Sequence, residues 1–487
     1  MDCRWIRRRL LLACNSFQGI FTGMNNDAVI DESTKNAVFL VATIAAFMTP
    51  FMASSINVAL PAIESNFQID TILLSWVPTS YLLSTCMFLA PFGRLADIVG
   101  RKNVFVCGSI IFTIAACLSA VSYNIWMLLT FRVLQGMGSA MIFGTGMAML
   151  ATVFPPGERG RAIGINVAAV YIGMAVGPFI GGILTEQFSW RGVFASTVPL
   201  GVLCTCVSLW KLRWKRKKTE AEKFDVLGSI LYGIAIIGVM LGLSKLPSVI
   251  GALSIVGGIG FFILFVKCEL KTPYPVISMD MFLNNRPFAF SGLAALINYS
   301  ATFAVSFLLS LYLQYVKGFS PKEAGLVLMV QPIAMAILSP LAGRASDRIE
   351  PQRVASLGML ITAIGLFLMS FLNANTKTSM ITANLAVLGL GFALFSSPNM
   401  NAIMSSVDRS SYGLASGVVS SMRLMGQMLS MGLVSVMFAL YIGPVDFSPK
   451  IMAQFLECLN RSFIIFAIIC VIGIYFSLAR GRILGSP

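Results

Sequence analysis

Fourteen long apolar stretches, separated by short polar connections, run through this 487-residue chain. A membrane-spanning helix needs about 20 mostly apolar residues, which these stretches supply. They are too long for barrel strands and do not alternate with period two, so the backbone in lipid has to be helical. The predicted spans are residues 37–62, 73–92, 103–122, 124–150, 160–185, 190–210, 225–244, 249–267, 287–316, 323–342, 353–372, 379–400, 411–440 and 461–479.

The charges orient these spans. The chain is 57% hydrophobic and only 11% charged, yet carries a net charge of +15. Most lysines and arginines fall on one side if both termini are cytoplasmic, as the positive-inside rule requires. The basic run 211–218 predicts a cytoplasmic topology anchor in contact with the lipid bilayer, rather than a nucleic-acid site, because no aromatic-interleaved basic fold surrounds it. The expected location is the cell membrane of a prokaryote.

The residue types argue against several kinds of chemistry. The chain has no histidine, which excludes histidine proton relays, Ser-His-Asp triads and histidine-ligated metals. Its ten cysteines show no paired spacing. No glycine-rich nucleotide loop or catalytic constellation stands out either. We therefore expect no cofactor, no metal site and no enzyme activity. A membrane-embedded sensor or enzyme is the less favoured alternative.

A basic motif appears twice, each time after an apolar stretch. The first copy, residues 93–102, contains one acid among its bases, and the second copy is residues 343–353. The copies start 250 residues and eight spans apart, which predicts two six-helix halves with two additional spans between them. The residues of the first copy that we single out as an inner gating motif are Gly93, Arg94, Asp97, Gly100, Arg101 and Lys102.

This repeat divides the whole chain. The expected fold is an all-α membrane protein of fourteen transmembrane helices, with both termini cytoplasmic. The predicted divisions are a tail at 1–36, a six-helix bundle at 37–210, a basic loop at 211–224, two additional helices at 225–270, a linker at 271–286, a second six-helix bundle at 287–479 and a tail at 480–487.

Polar side chains inside spans are candidates for function, since they have to face protein or water. Arg132, with Gln135 one turn further on, and Arg423 are intramembrane charges that we treat as coupling candidates. The alternative for Arg132 is that it reaches the membrane interface. Other polar residues either join helices or line a cavity. They are Ser54, Ser55, Asn57, Asn298, Tyr299 and Gln331.

The fifth predicted span carries the most specific pattern. Gly173, Gly177 and Gly181 recur every four residues and form a stripe where another helix can approach closely. Pro178 lacks a backbone donor and weakens the helix in mid-membrane, and Gly182 extends the small-residue surface. A smooth stripe beside a kink is suited to two helices that slide or pivot.

These motifs together resemble those of the major facilitator superfamily. Residues 93–102 are similar to its signature loop, residues 132–136 to its fourth-helix arginine motif, and residues 173–182 to the antiporter motif of its drug exporters. Trp190-Arg191 and residues 57–61 resemble its fourteen-span drug:proton antiporters, and the resemblance covers nearly the whole chain.

The resemblance implies a secondary transporter that exports amphipathic small molecules by alternating access, with protons entering in exchange. It also implies that Asp97 latches the inner side in the outward-facing state, and that the chain functions as a monomer. Met52 stands where the family carries an acid, and no carboxylate falls at mid-membrane. An importer or uncoupled facilitator of a neutral or anionic solute is therefore the alternative function.

Overall fold

All regular structure in the described part of the chain is helical. The computed structural model describes residues 31–212, 224–408, 412–445 and 449–481. Most of the basic run 211–218 and much of both predicted tails lie outside these ranges. The membrane-length helices are α1 Glu32–Phe67, α2 Thr71–Val99, α3 Arg101–Ala120, α4 Ile125–Val153, α5 156–187, α6 190–211, α7 Val226–Lys245, α8 Val249–Glu269, α9 Arg286–Val316, α10 Pro321–Arg348, α11 Pro351–Met369, α12 Thr378–Ser405, α13 Tyr412–Tyr441 and α14 Met452–Ala479.

Helices α5 and α6 are separated by a sharp break rather than a loop. Phe188 and Ser189 leave helical geometry, and Ser189 has a φ of 63°. Asn66 stabilises the break, because its side-chain oxygen accepts hydrogen bonds from the Trp190 indole at 2.9 Å and from Arg191 at 2.8 Å. The thirteen long apolar helices therefore contain fourteen spans. The all-α, fourteen-span prediction is confirmed.

An even number of spans places both ends of the described chain on one side. We call this the inner face; it also carries Gly100, where α2 meets α3, and Glu350, where α10 meets α11. The opposite side, which carries the break between α5 and α6, is the outer face. Which of the two faces the cytoplasm stays a prediction from the charge distribution.

Contacts group the helices into two halves. In the first half, α1 packs along α5 and α6, while α4 packs against α2 and α3. In the second half, α12 packs against α10 and α11, and α9 packs against α13 and α14. The predicted divisions at 37–210 and 287–479 stay a prediction.

The additional helices α7 and α8 form a hairpin outside the two halves. Gly238 on α7 faces Gly258 on α8, and the absence of side chains lets the two backbones meet closely. Helix α8 exposes most of its surface, including Leu253, Val256 and Ile259. Helix α7 packs against α2 of the first half and α13 of the second. The hairpin therefore touches both halves and presents an apolar surface to lipid.

The two largest errors in the predicted boundaries are the start of the last span and the end of the second. Helix α14 begins at Met452 rather than 461. Its first turns are amphipathic, with Phe455, Cys458 and Leu459 buried, and a search for uniformly apolar residues overlooks such a pattern. The inner motif is less of a loop than expected, because α2 continues to Val99.

Candidate functional site

The inner motif is two helix ends joined at Gly100. This residue has a φ of 110°, a conformation that glycine adopts readily, and it lets α3 start at once. Arg101 then forms an ion pair with Asp97 at 3.1 Å and donates hydrogen bonds to the Ala148 carbonyl and the Thr152 hydroxyl of α4. The motif thus fixes the inner ends of α2, α3 and α4 to one another.

Other members of the motif face different surroundings. A side chain at Gly93 would meet nothing within 4 Å. The Arg94 guanidinium lies 5.7 Å from the centre of the Tyr274 ring, in the linker that follows α8. Lys102 lies in the first turn of α3. The motif therefore contacts both its own half and the linker between the halves.

The second motif, residues 343–353, lies at the equivalent inner ends of the other half. Asn401 on α12 donates a 2.6 Å hydrogen bond to the Ser346 hydroxyl. Arg480, which the sequence assigned to a tail, is only 1% exposed and donates to Ser291 and Asn399. Burial lowers the pKa of the Arg480 guanidinium to about 10, and the charge of Glu350 opposes that shift. Sequence reasoning missed this residue because it follows the last apolar stretch.

Arg132 is sealed inside the first half rather than reaching an interface. It is 0% exposed. Its Nε donates to the Val77 carbonyl at 3.1 Å, and its Nη1 donates to Gln135 Oε1 at 2.8 Å. Its guanidinium also lies 4.4 Å from the ring centre of Tyr81 and 5.8 Å from that of Phe194. These partners come from α2, α4 and α6, so Arg132 joins three helices of one half.

The glycine stripe of α5, which is Gly173, Gly177 and Gly181, packs directly on α1. A methyl group at Gly173 would collide with the Phe47 carbonyl, and one at Gly177 with Ser54. Ser55 uses the closeness to donate a 2.8 Å hydrogen bond to the Gly177 carbonyl. The stripe is therefore an interface within the first half.

The next face of α5 meets the other half. The Pro178 carbonyl and Phe179 lie against Gly325 of α10, where an added methyl group would collide with them. Gly182 lies equally close to Pro321 and Lys322 at the start of α10. Pro178 and Gly182 thus form the contact of α5 with the opposite half, whereas the glycine stripe packs on α1 of the same half.

The three polar residues of α1 lie close to α5 and α9. Ser54 donates to the carbonyls of Phe51 and Gly173, and Ser55 is fully buried. The Asn57 carbonyl accepts a 2.7 Å hydrogen bond from Ser310 of α9. Ser54 and Ser55 thus bond across a helix contact, whereas the side-chain oxygen of Asn57 is buried with no hydrogen-bond partner among the described residues.

Hydrogen bonds join the two halves along the outer side. Besides the bond from Ser310, Gln314 of α9 donates to the Val58 carbonyl at 3.0 Å, and Tyr315 donates to Glu64 at 2.8 Å. A second line joins α2 to α13 and its outer end. It consists of the Ser75–Ser435 hydroxyl pair at 2.9 Å and the bond from Thr71 to the Gly443 carbonyl at 3.0 Å. The halves are therefore closed together at the outer face.

Aromatic residues and one arginine meet at mid-depth between the halves. Tyr299 lies against Phe392 with ring centres 5.3 Å apart, and its hydroxyl is within the electrostatic reach of Arg423 and Tyr171. The Arg423 guanidinium lies 6.0 Å from the Phe143 ring of the first half. These five residues, which we call the central cluster, come from α4, α5, α9, α12 and α13.

The sequence identified only Tyr299 and Arg423 in this cluster. Phe143, Tyr171 and Phe392 were missed because isolated aromatic residues in apolar helices give no signal of their own. The other two second-half candidates lie elsewhere. Asn298 is completely buried, with no hydrogen-bond partner for its side chain among the described residues. The Gln331 carbonyl packs against Gly389 of α12.

Acidic residues lie at the ends of helices. Glu64 lies near the outer end of α1, and Glu269 ends α8 at the inner face. Met52, where an acid was expected by resemblance, is fully buried. Within the described ranges, no three Asp, Glu or Cys side chains come together as metal ligands would. The central cluster therefore offers aromatic surfaces and a positive charge.

Known proteins share this sequence pattern. The sequence model of the Major Facilitator Superfamily matches residues 42–267 and 291–483. The riboflavin transporter RibZ of Clostridioides difficile is 30% identical over 437 residues, covering 90% of this chain and 95% of that protein. The multidrug resistance protein Stp of Mycobacterium tuberculosis is 28% identical, covering 83% of this chain and 76% of that protein.

Solved structures share the fold. A bacterial homologue of the human lysosomal transporter Spinster, inward-facing and unoccupied, superposes with a TM-score of 0.67 at 17% identity, covering 92% of this chain and 97% of that one. The D-xylose-proton symporter gives 0.64 at 16% identity, covering 91% and 96%. The chain is accordingly a multi-pass cell-membrane transporter and not an enzyme, and it belongs to the major facilitator superfamily.

Proposed function

We propose that this transporter exports planar amphipathic small molecules, neutral or anionic, by alternating access in exchange for protons. The inner face is then cytoplasmic, in accordance with the charge distribution, and a single chain carries out the cycle. The observation that carries the proposal is the central cluster, where residues of both halves meet at mid-depth. Substrates of major facilitator transporters bind at this depth between the two halves.

The chemistry of the cluster sets the substrate class. Tyr171, Tyr299 and Phe392 offer flat apolar faces, on which a planar ring system can stack. Arg423 offers hydrogen bonds to carbonyl or acidic groups and a cation for an aromatic face. Met174 and Met335 pack beside these rings and can adapt to different shapes. Because the described acids lie at helix ends, a cationic substrate would find no counter-charge here.

The relatives support this class from two directions. One is named for riboflavin, which is a planar, neutral and amphipathic molecule, and others are named as multidrug resistance proteins. An adaptable aromatic cavity would serve both kinds of substrate. We therefore propose riboflavin-like ring systems as the first substrates to test.

The contacts of α5 suggest how the transporter changes between its inward-open and outward-open states. The structure is closed on the outer side, where Pro178 and Gly182 meet α10. Opening that side requires this contact to separate and the hydrogen bonds from α9 to α1 to break. Closing the inner side brings the inner motif, with Asp97, towards the opposite half. Since the α5 surfaces carry small residues, little side-chain interlocking opposes the movement.

Transport in inside-out vesicles tests the proposal. Vesicles containing the protein are acidified by respiration, and their lumen is followed with a pH-sensitive dye. Addition of riboflavin and of neutral and anionic planar dyes should dissipate the gradient, and the Phe392→Ala variant should reduce that signal. Phe367→Ala, at a lipid-exposed phenylalanine, is the matched control. Exchange with no proton signal would refute the coupling, and absence of any movement would refute the substrate class.

The position of Met52 favours one second candidate. With no carboxylate beside the central cluster, a neutral or anionic solute could move down its own gradient, inward or outward, without a coupled proton. In that case substrates would cross vesicles in both directions at equal rates, and an imposed proton gradient would leave those rates unchanged.

A further inference from the structure

Two carboxyl groups meet at the inner end of the α7–α8 hairpin. Asp225 caps the start of α7, and its Oδ1 accepts a 2.8 Å hydrogen bond from the Gly228 amide. Glu269 ends α8 and is only 3% exposed. Its Oε2 accepts a 3.3 Å hydrogen bond from the Ile277 amide in the linker, residues 270–285. Each carboxyl group therefore has one oxygen held by the backbone.

The other two oxygens face each other without a donor. Asp225 Oδ2 and Glu269 Oε1 are buried and have no hydrogen-bond partner among the described residues. Both lie at the same point beside Gly228, where a methyl group would collide with each of them. Two ionised carboxylates placed this way repel each other and lack a donor, whereas one shared proton satisfies both oxygens.

Within the described ranges, the surroundings of Glu269 supply no positive side chain. The groups that act on Glu269 are Asp225 on α7 and the backbone amides of Val276 and Ile277 in the linker. No lysine or arginine in the described ranges is among them. The stability of the arrangement therefore depends on whether Glu269 holds a proton.

The linker connects the pair to the inner gating motif. Ile277 is buried, and three residues earlier Tyr274 lies under the guanidinium of Arg94. Helix α7 itself packs against α2, which carries Arg94, and against α13 of the other half. A change at Glu269 can therefore reach the inner end of α2 through a short chain of contacts.

We propose that Glu269 carries a proton, which it donates to Asp225, and that this hydrogen bond is a pH-sensitive latch that holds the linker against the inner motif. The proton comes from water at the inner face and bridges Asp225 Oδ2 and Glu269 Oε1. Loss of that proton as pH rises leaves two facing negative charges, so Glu269 moves away and releases the Ile277 amide. The latch needs only the inner motif and does not rest on the proposed substrate or its coupling.

Hydrogen–deuterium exchange of the purified, lipid-reconstituted protein tests the latch. Protection of residues 270–285, corrected for intrinsic exchange, is measured between about pH 5.5 and 8.5, where buried carboxyl pairs can titrate. Wild-type protection should fall roughly tenfold as pH rises, because a local opening becomes favourable. Glu269→Gln supplies an amide donor to Asp225 and keeps the acceptor for Ile277, so its linker should stay protected throughout.

Two further variants complete the test. Glu269→Ala removes the acceptor, and its linker should exchange fast at every pH. Asp280→Asn changes an exposed acid in the same linker and should behave as wild type. Wild-type protection that does not change with pH, or Gln and Ala variants that exchange alike, would overturn the proposal. This readout needs no transport, so it stays decisive even if the proposed substrates are wrong.

A second measurement tests whether the latch affects the inner end of α2. Tyr274→Leu removes the ring beneath Arg94 but leaves the carboxyl pair intact. In this variant the linker should still lose protection with rising pH, while protection at the inner end of α2 should no longer follow it. If the α2 end in Tyr274→Leu continues to respond as in wild type, the latch does not act through Arg94.

Discussion

The two intramembrane arginines look alike in the sequence and occupy opposite environments. Arg132 is completely buried in the first half, with partners on α2, α4 and α6 of that half. Arg423 is partly accessible and lies between the halves, against Phe143 of the first and Tyr299 of the second. Burial of an arginine in a membrane has to be offset by contacts, but the contacts decide whether it serves the fold or the substrate.

This difference predicts a structural role for Arg132 and a role in transport for Arg423. Arg132 has its hydrogen bonds and ring contacts arranged inside a unit that moves as one body. Arg423 lies where the surroundings change whenever the halves move relative to each other. We therefore expect substitutions at Arg132 to affect folding first, and substitutions at Arg423 to affect substrate affinity with the fold intact.

The largest effect is expected from Arg132→Met. It removes the donors to the Val77 carbonyl and to Gln135, and loss of two charge-assisted hydrogen bonds should lower stability by roughly 3 kcal/mol. The melting temperature in detergent should fall by about 5 °C, with a reduced folded yield. A variant that melts with the wild type but no longer transports would place Arg132 with the substrate instead.

Arg423→Gln should show the opposite behaviour. The melting temperature should stay within about 2 °C of the wild type, because Arg423 is only partly buried and lies between the halves. The KM for an anionic planar substrate should rise roughly 30-fold, as for loss of a charge-assisted hydrogen bond, and the KM for a neutral one much less. Equal losses for both substrates would mean that Arg423 acts on the conformational change and not on the charge.

Gly177→Ala tests whether transport depends on the close packing of α5 on α1. The added methyl group collides with Ser54 of α1 and should lower transport roughly tenfold through overpacking. Gly164→Ala, on the same helix but with nothing within 4 Å, should transport as wild type. Full activity of Gly177→Ala and Gly177→Leu would refute the role of the stripe.

The smallest effect on stability is expected from Asp97→Asn. Its partner Arg101 is 37% exposed, and exposed ion pairs contribute at most about 1 kcal/mol. The melting temperature should therefore hardly change, whereas transport should fall several-fold as the inward and outward populations shift. Spectroscopic distances between the halves measure those populations. If both transport and populations match the wild type, the inner latch assigned to Asp97 is wrong.

The sequence predicted the helices well because apolar length and composition are local properties. It predicted the α5 stripe for the same reason, since a four-residue period is visible without a partner. It did not reveal which helix the stripe contacts, nor that Ser55 would bond to Gly177. The start of α14 was misplaced because its first turns are amphipathic.

The proposed substrate site was the least predictable part. Phe143, Tyr171 and Phe392 are ordinary apolar residues until five helices bring them together with Arg423. The same holds for Asp225 and Glu269, which are 44 residues apart and meet only because α7 and α8 form a tight hairpin. Long-range contacts of this kind leave no periodicity in a single sequence.

The most direct test of the central cluster is uptake into proteoliposomes of two matched planar molecules, riboflavin and its anionic phosphate ester. We expect saturable transport of both molecules, a reduced rate for both in Phe392→Ala, and a selective loss of the phosphate ester in Arg423→Gln. Phe367→Ala should leave both rates unchanged. If both molecules cross in the Phe392 and Arg423 variants as in the wild type, the substrate does not bind at the central cluster.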